Sequence, residues 1–223
     1  LEEARALARL RHDNVVHIHR IVDHTEMLAF EMEFVEGPSL QSLLAELRGL
    51  GRQPEAADLA KGLGMSLPTL GARSPVEFFV KVGIAIARAL AEVHRSGLVH
   101  RDVKPSNILL RKNGTPVLAD FGLAQEHDPT STQTVSFAGT PIYAAPERLR
   151  NGDLELDGRA DVYSLGVSLY EAITLAPPYQ GRTTQEVLRK IESGAAVPLR
   201  KRAPQVSRDL QTVLQKAMEV EPR

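Results

Sequence analysis

The 223-residue sequence contains no cysteine, which excludes a disulfide framework and any thiolate metal centre. That absence fits a reducing compartment, so the expected location is cytoplasmic, either free or as the cytoplasmic part of a membrane-anchored protein. There is no run of about 18 apolar residues that could form a membrane span. The opening LEEARALARL is charged and amphipathic where a signal peptide would be apolar. No membrane contact is expected within this stretch, an anchor elsewhere being compatible with it. A charge excess is missing as well, with 27 Lys and Arg against 28 Asp and Glu and a formal net charge of -1. Without a strong basic excess nothing draws the chain as a whole to nucleic acid, which is not an expected partner. Internal repeats and low-complexity tracts are absent too, which removes solenoids and disordered tails. What remains is 43% hydrophobic and 25% charged residues, a globular composition in a chain long enough to bury roughly 70–75% of its unfolded surface.

Along the chain, Glu3, Leu7 and Leu10 fall near one helical face, so a helix is expected to be under way at residue 1. VVHIHRIV and MLAFEMEFV are rich in Val, Ile and Phe and flank the polar DHTE, as in an antiparallel strand pair. Gly37-Pro38 ends the second strand, and Ser39 caps a short helix through Leu47. Residues 48–74 hold five glycines and two prolines around a helix-compatible EAADLAKGL. That is too long and too broken for an ordinary connection, and it is expected as a surface insertion, either a solvated loop without function or a docking site. From Pro75 to Arg95 the pattern predicts a long helix with proline in its first turn. NILLRKNGTPVLADFG carries two apolar runs around Asn113-Gly114, a hairpin signal. DVYSLGVSLYEAI, residues 161–173, is apolar nearly all round and should cross the interior. Further helices are expected near 183–193 and 207–219.

The chemistry gathers at the edges of the hairpin. His100-Arg101-Asp102 is followed by Lys104 and Asn107, then by Asp120-Phe121-Gly122, and Ala145-Pro146-Glu147 comes after a Ser/Thr-rich stretch. In this order and separation the sequence resembles the eukaryotic-type protein kinase family, through H-R-D-x-x-x-x-N, D-F-G and A-P-E. LARLRHDNVV and GTPIYAAPE look most like its bacterial members. The resemblance implies an α+β, protein kinase-like fold. Residues 1–36 would be helix C and the last strands of the N-lobe, with the hinge at 33–36. Residues 37–223 would be the helical C-lobe, interrupted at about 48–74. The implied activity is transfer of the γ-phosphate of ATP to Ser/Thr hydroxyls of a protein substrate. The physical logic agrees with the residue types. Phosphoryl transfer asks chiefly for placement and charge compensation. Asp102 would accept the hydroxyl proton. Lys104 would neutralise charge on the migrating group, and Asn107 with Asp120 would offer hard oxygen ligands to Mg²⁺.

Other positions follow from the resemblance one at a time. Glu3 matches the helix-C glutamate, whose partner in relatives is a strand lysine. Leu7, Ile18, His100 and Phe121 fall where the family stacks side chains between its lobes. Met32 matches the guard of the adenine pocket, Glu33 to Val35 the hinge, and Leu109 the floor beneath adenine. Asp161 would hold the backbone of the catalytic loop. Arg101, next to Asp102, marks members switched by phosphorylation, for which Thr132 and Thr134 are the candidates. Thr140 and Glu147 bound the implied substrate segment, and Lys104 with Thr140 favours Ser/Thr over Tyr acceptors. The resemblance places a Gly-rich loop and the strand lysine before Leu1, and a partner for Glu147 after Arg223. The stretch by itself is therefore expected to bind ATP poorly and to turn over at background. The competing expectation is a pseudokinase that binds nucleotide or a partner without turnover.

Overall fold

The computed structural model describes residues 2–24, 27–121, 141–151 and 157–221. Helix α1 (Glu2–Arg9) leads through Val15 and Val16 to an antiparallel pair, β1 (Ile18–His24) and β2 (Met27–Met32), in register Ile21 to Phe30 and Val22 to Ala29. Helix α2 (Leu40–Gly49) starts at Ser39, whose side chain accepts from Ser42 N–H at 3.1 Å. Leu40, Leu43, Leu44 and Leu47 give α2 one apolar face, and all four are buried.

The expectation for residues 48–74 needs correcting. They are not a solvated loop: they carry α3 (Ala56–Gly62) and α4 (Leu67–Leu70), and Leu59, Leu63, Leu70 and Ala72 lie in the main core. Glu55 and Asp58 close a reciprocal capping box at the start of α3. The helix-compatible EAADLAKGL is α3; its burial is hidden because the glycines cut the apolar pattern into pieces shorter than the window over which a period shows.

Helix α5 (Pro75–Arg95) begins where the sequence predicts, with Ser74 accepting from Glu77 N–H at 3.2 Å and proline at the first position. Beyond it a 3₁₀ turn, Pro105–Asn107, opens the hairpin β3 (Ile108–Leu110) and β4 (Pro116–Leu118). Its turn closes through Gly114 N–H to Arg111 C=O at 2.7 Å, with Gly114 at φ +78, where a side chain would be strained. The remaining helices are α6 (Pro146–Asn151), α7 (Gly158–Thr174), α8 (Thr184–Glu192), α9 (Leu199–Arg202) and α10 (Arg208–Ala217). As its composition requires, α7 is buried on nearly every side. The main core joins α2, α3, α5, α7 and the hairpin around Leu44, Phe79, Ile86, Ile108, Leu118 and Tyr170. A second cluster seats α1 on α5 through Leu7, Leu10, Val15, Ile18, Ala89 and Val93. Among the described residues no helix is long and apolar enough to cross a membrane.

Candidate catalytic site

The loop from His100 to Asn107 is shaped by groups behind it. Asp161, on the first turn of α7, is 1% exposed, and its carboxylate accepts from His100 N–H, Arg101 N–H and His94 Nε2, each at 2.8 Å. Those bonds hold Arg101 at φ +68, a left-handed conformation costly for a side-chain-bearing residue. Val103, 1% exposed, anchors the loop in the main core.

His100 is fully buried, and its protonation state follows from its neighbours. Nε2 lies 3.1 Å from Ala119 C=O, which can only accept, so Nε2 carries the proton. Nδ1 of the neutral ring then accepts from Asp102 N–H at 3.2 Å. Burial lowers the pKa of His100 and outweighs the nearby carboxylates of Asp161, Asp102 and Asp120. The imidazole is thus a neutral strut between the two aspartate-bearing segments.

The Asp102 carboxylate accepts from Lys104 Nζ at 2.7 Å and from Asn107 Nδ2 at 2.9 Å. Asn107 Nδ2 also donates to Asp102 C=O at 2.8 Å. Asn107 C=O takes Ala119 N–H at 2.9 Å, which sets Asp120 beside the loop at φ +55 with its side chain exposed. Asp102, Lys104, Asn107 and Asp120 are therefore brought together. A hard cation could use the Asp120 carboxylate and the Asn107 amide oxygen, leaving its other positions to phosphate oxygens and water. Among the described residues no group of three or more His, Asp or Glu stands ready to hold a metal unaided.

Val35 lies with Val16, Val117 and Ala119 in an apolar cluster against which Leu109 packs, and Met32 is 40% exposed at the end of β2. Glu33 N–H donates to His17 C=O at 2.9 Å, while its carboxylate accepts from Arg111 at 2.6 Å and His17 N–H at 3.0 Å. Burial opposes ionisation of Glu33, but these bonds prevail and hold its carboxyl below the usual range. Leu7 and Ile18 share a cluster with Phe121, whose ring centroid is 4.3 Å from that of His100. Glu3, expected opposite a strand lysine, here meets Arg101 Nη2 at 3.2 Å, an ion pair joining α1 to the His100–Asn107 loop. Glu147 sits in the first turn of α6, and its charge is felt by Arg159. Thr132, Thr134 and Thr140 lie outside the described residues. Sequence reasoning missed His94, whose only signal is its place in the last turn of α5, and the linked trio of exposed Arg48, buried Glu171 and half-buried Tyr143, for which there is no local signal.

A family model described as the protein kinase domain matches residues 1–223. Serine/threonine-protein kinase PkaA of Streptomyces coelicolor is 37% identical over 199 residues, 85% of this chain and 31% of that protein. PknF of Mycobacterium tuberculosis, also named a serine/threonine-protein kinase, is 34% identical over 227 residues, 99% of this chain and 42% of that protein. A probable serine/threonine-protein kinase of Clostridium perfringens is 32% identical over 222 residues, 99% of this chain and 29% of that protein. The chain thus spans well under half the length of these relatives. The structure of Rad53 1–466 in complex with AMP-PNP aligns with a TM-score of 0.73 at 24% identity, over 99% of this chain and 50% of that one, a likeness of fold. With the whole of its length matched, the chain belongs to the protein kinase domain family.

Proposed function

We propose that the protein to which this chain belongs transfers the γ-phosphate of ATP to serine or threonine hydroxyls of protein substrates. The observation that carries the proposal is the arrangement around Asp102: a carboxylate backed by Lys104 and Asn107, with Asp120 beside it through the Asn107 to Ala119 hydrogen bond. Asp102 takes the proton of the acceptor hydroxyl as its oxygen forms a bond to the γ-phosphorus. The bond to the bridging oxygen breaks and ADP departs. Lys104 offsets charge on the phosphoryl group in flight. Asn107 and Asp120 would hold Mg²⁺, which would supply positive charge to offset that of the phosphates. Leu109 and Val35 give the adenine an apolar bed, Met32 flanks it, and the backbone of residues 33–35 supplies its hydrogen bonds. Acceptor choice rests on Lys104 and on the names of the relatives, each a serine/threonine-protein kinase. Phosphorylation of Thr132 or Thr134 would bring a second anion to Arg101, in competition with Glu3, and so couple α1 to activation.

The test is radiolabel transfer from ATP by the intact protein. Asp102→Asn is expected to cut turnover by roughly 10²–10⁴ with ATP binding retained, whereas Asp120→Asn weakens Mg²⁺-dependent nucleotide binding itself. Near wild-type activity in either variant would refute the assignment.

A further inference from the structure

Tyr170, in the C-terminal half of α7, is 1% exposed, and its hydroxyl is buried with no hydrogen-bond partner among the described residues. The other three tyrosines each have a partner for the phenol: Tyr163 donates to Tyr179 at 3.1 Å, and Tyr143 donates to Glu171. A buried polar group left unpaired is costly and rare enough to call for a cause. Burial also raises the pKa of Tyr170, so the group remains a neutral donor. What it lacks is an acceptor.

Tyr170 forms part of the wall of a cavity of about 290 Å³, where α7, α10 and the connection from α8 to α9 meet. That is close to the lower end of the roughly 300–1,000 Å³ of small-molecule sites. Its floor is apolar, with Leu199, Leu214 and Met218 all buried, and half-buried Val197 stands at its side. Ordered water needs two to four polar partners, which such a floor does not offer. Among the described residues that line the cavity the one charged side chain is that of Glu219, at its exposed edge, so a carboxylate or phosphate would meet a like charge and no cation. We propose that the cavity binds a small neutral molecule, an apolar body bearing one carbonyl oxygen that accepts from the Tyr170 hydroxyl. The site is separate from the one around Asp102 and independent of the kinase reading. Val35 and Leu109, the bed proposed for adenine, lie in another apolar cluster.

The experiment uses the intact protein labelled with ¹³C-methyl methionine, acetophenone as the probe, and toluene as the analogue that lacks the carbonyl. The Met218 methyl resonance, assigned by its loss in Met218→Leu, should shift saturably with acetophenone, while that of Met32, beside the proposed adenine bed, should not. Tyr170→Phe should weaken acetophenone binding about fivefold, the effect of one hydrogen bond, and leave toluene binding unchanged. Val197→Trp should fill the cavity and abolish binding of both. Ligand-free Tyr170→Phe should melt no lower than wild type, because the hydroxyl it loses has no partner to leave behind. Three results would overturn the proposal. The first is no saturable shift at Met218, or one matched at Met32. The second is equal acetophenone affinity in wild type and Tyr170→Phe, the mark of an apolar void that asks for no acceptor. The third is a lower melting temperature for ligand-free Tyr170→Phe, which would show the hydroxyl already paired. If Val197→Trp does not fold, the comparison of wild type with Tyr170→Phe, which removes one hydroxyl, decides alone.

Discussion

Replacing Asp161 by alanine removes three hydrogen bonds at once, from His94 Nε2, His100 N–H and Arg101 N–H. A hydrogen bond to a charged acceptor contributes roughly 1.5–3 kcal/mol. Losses within one network are less than additive, so the total falls below the sum of three such bonds. The residue freed first is Arg101, whose left-handed backbone costs about 1–3 kcal/mol and relaxes once its amide is unheld. The expected loss is about 4 kcal/mol, a large part of the roughly 5–15 kcal/mol that stabilises a domain. For a chain of this size that is about 8–16 °C in melting temperature. Urea unfolding followed by circular dichroism reads the loss, with an unchanged m value showing that the midpoint shift is a stability change. Asp161→Asn keeps the volume and one acceptor oxygen but turns an NH₂ group towards a donor, so it should lose about half as much stability while reducing phosphoryl transfer by the intact protein. A loss under about 1 kcal/mol in the alanine variant would refute the reasoning, because it would mean that water or another group satisfies both amides.

Gly37→Ala should be among the most damaging single-methyl changes, since a Cβ there would lie 1.8 Å from Leu110 C=O at φ +152; a loss of at least about 2 kcal/mol in the same unfolding assay is expected. Stability should also fall as pH drops below about 6.5. The unfolded chain takes up a proton that folded His100 resists, so the contribution is complete above the unfolded pKa and disappears as pH falls towards the lower folded one. His100→Phe should flatten the dependence between pH 7.5 and 5.5, and an unaltered slope in urea melts would show that His100 is not its source.

Periodicity and capping made most of the architecture legible. Ser39 sets the start of α2 and Ser74 that of α5, because each accepts from an amide that the first helical turn leaves open, and Pro75 has no amide there to satisfy. The order of His100, Asp102, Asn107 and Asp120 pointed to one site because a hairpin returns the chain on itself. Partnerships between distant side chains were not legible. Nothing local to Arg48 marks Glu171, 123 positions away, as its acceptor. His94 joins Asp161 only because α5 and α7 pack together. Glu3 shows the same limit from another side, since its exposure on a helix says nothing of Arg101.

The hairpin that bears this site is occupied along both edges. On one side Leu118 N–H donates to Asn14 C=O and Leu118 C=O accepts from Val16 N–H, with Asn14 Nδ2 reaching Pro116 C=O. On the other, Leu110 N–H donates to Pro38 C=O. Two strands of three residues would ordinarily be free to slip, and a slip of one position would turn every side chain to the opposite face. Here such a slip must break bonds to two unrelated stretches of chain at the same moment. The separation of Asn107 from Asp120 is therefore gauged by strands to which neither residue belongs. The same two flanking segments leave the hairpin no open ladder to offer another molecule.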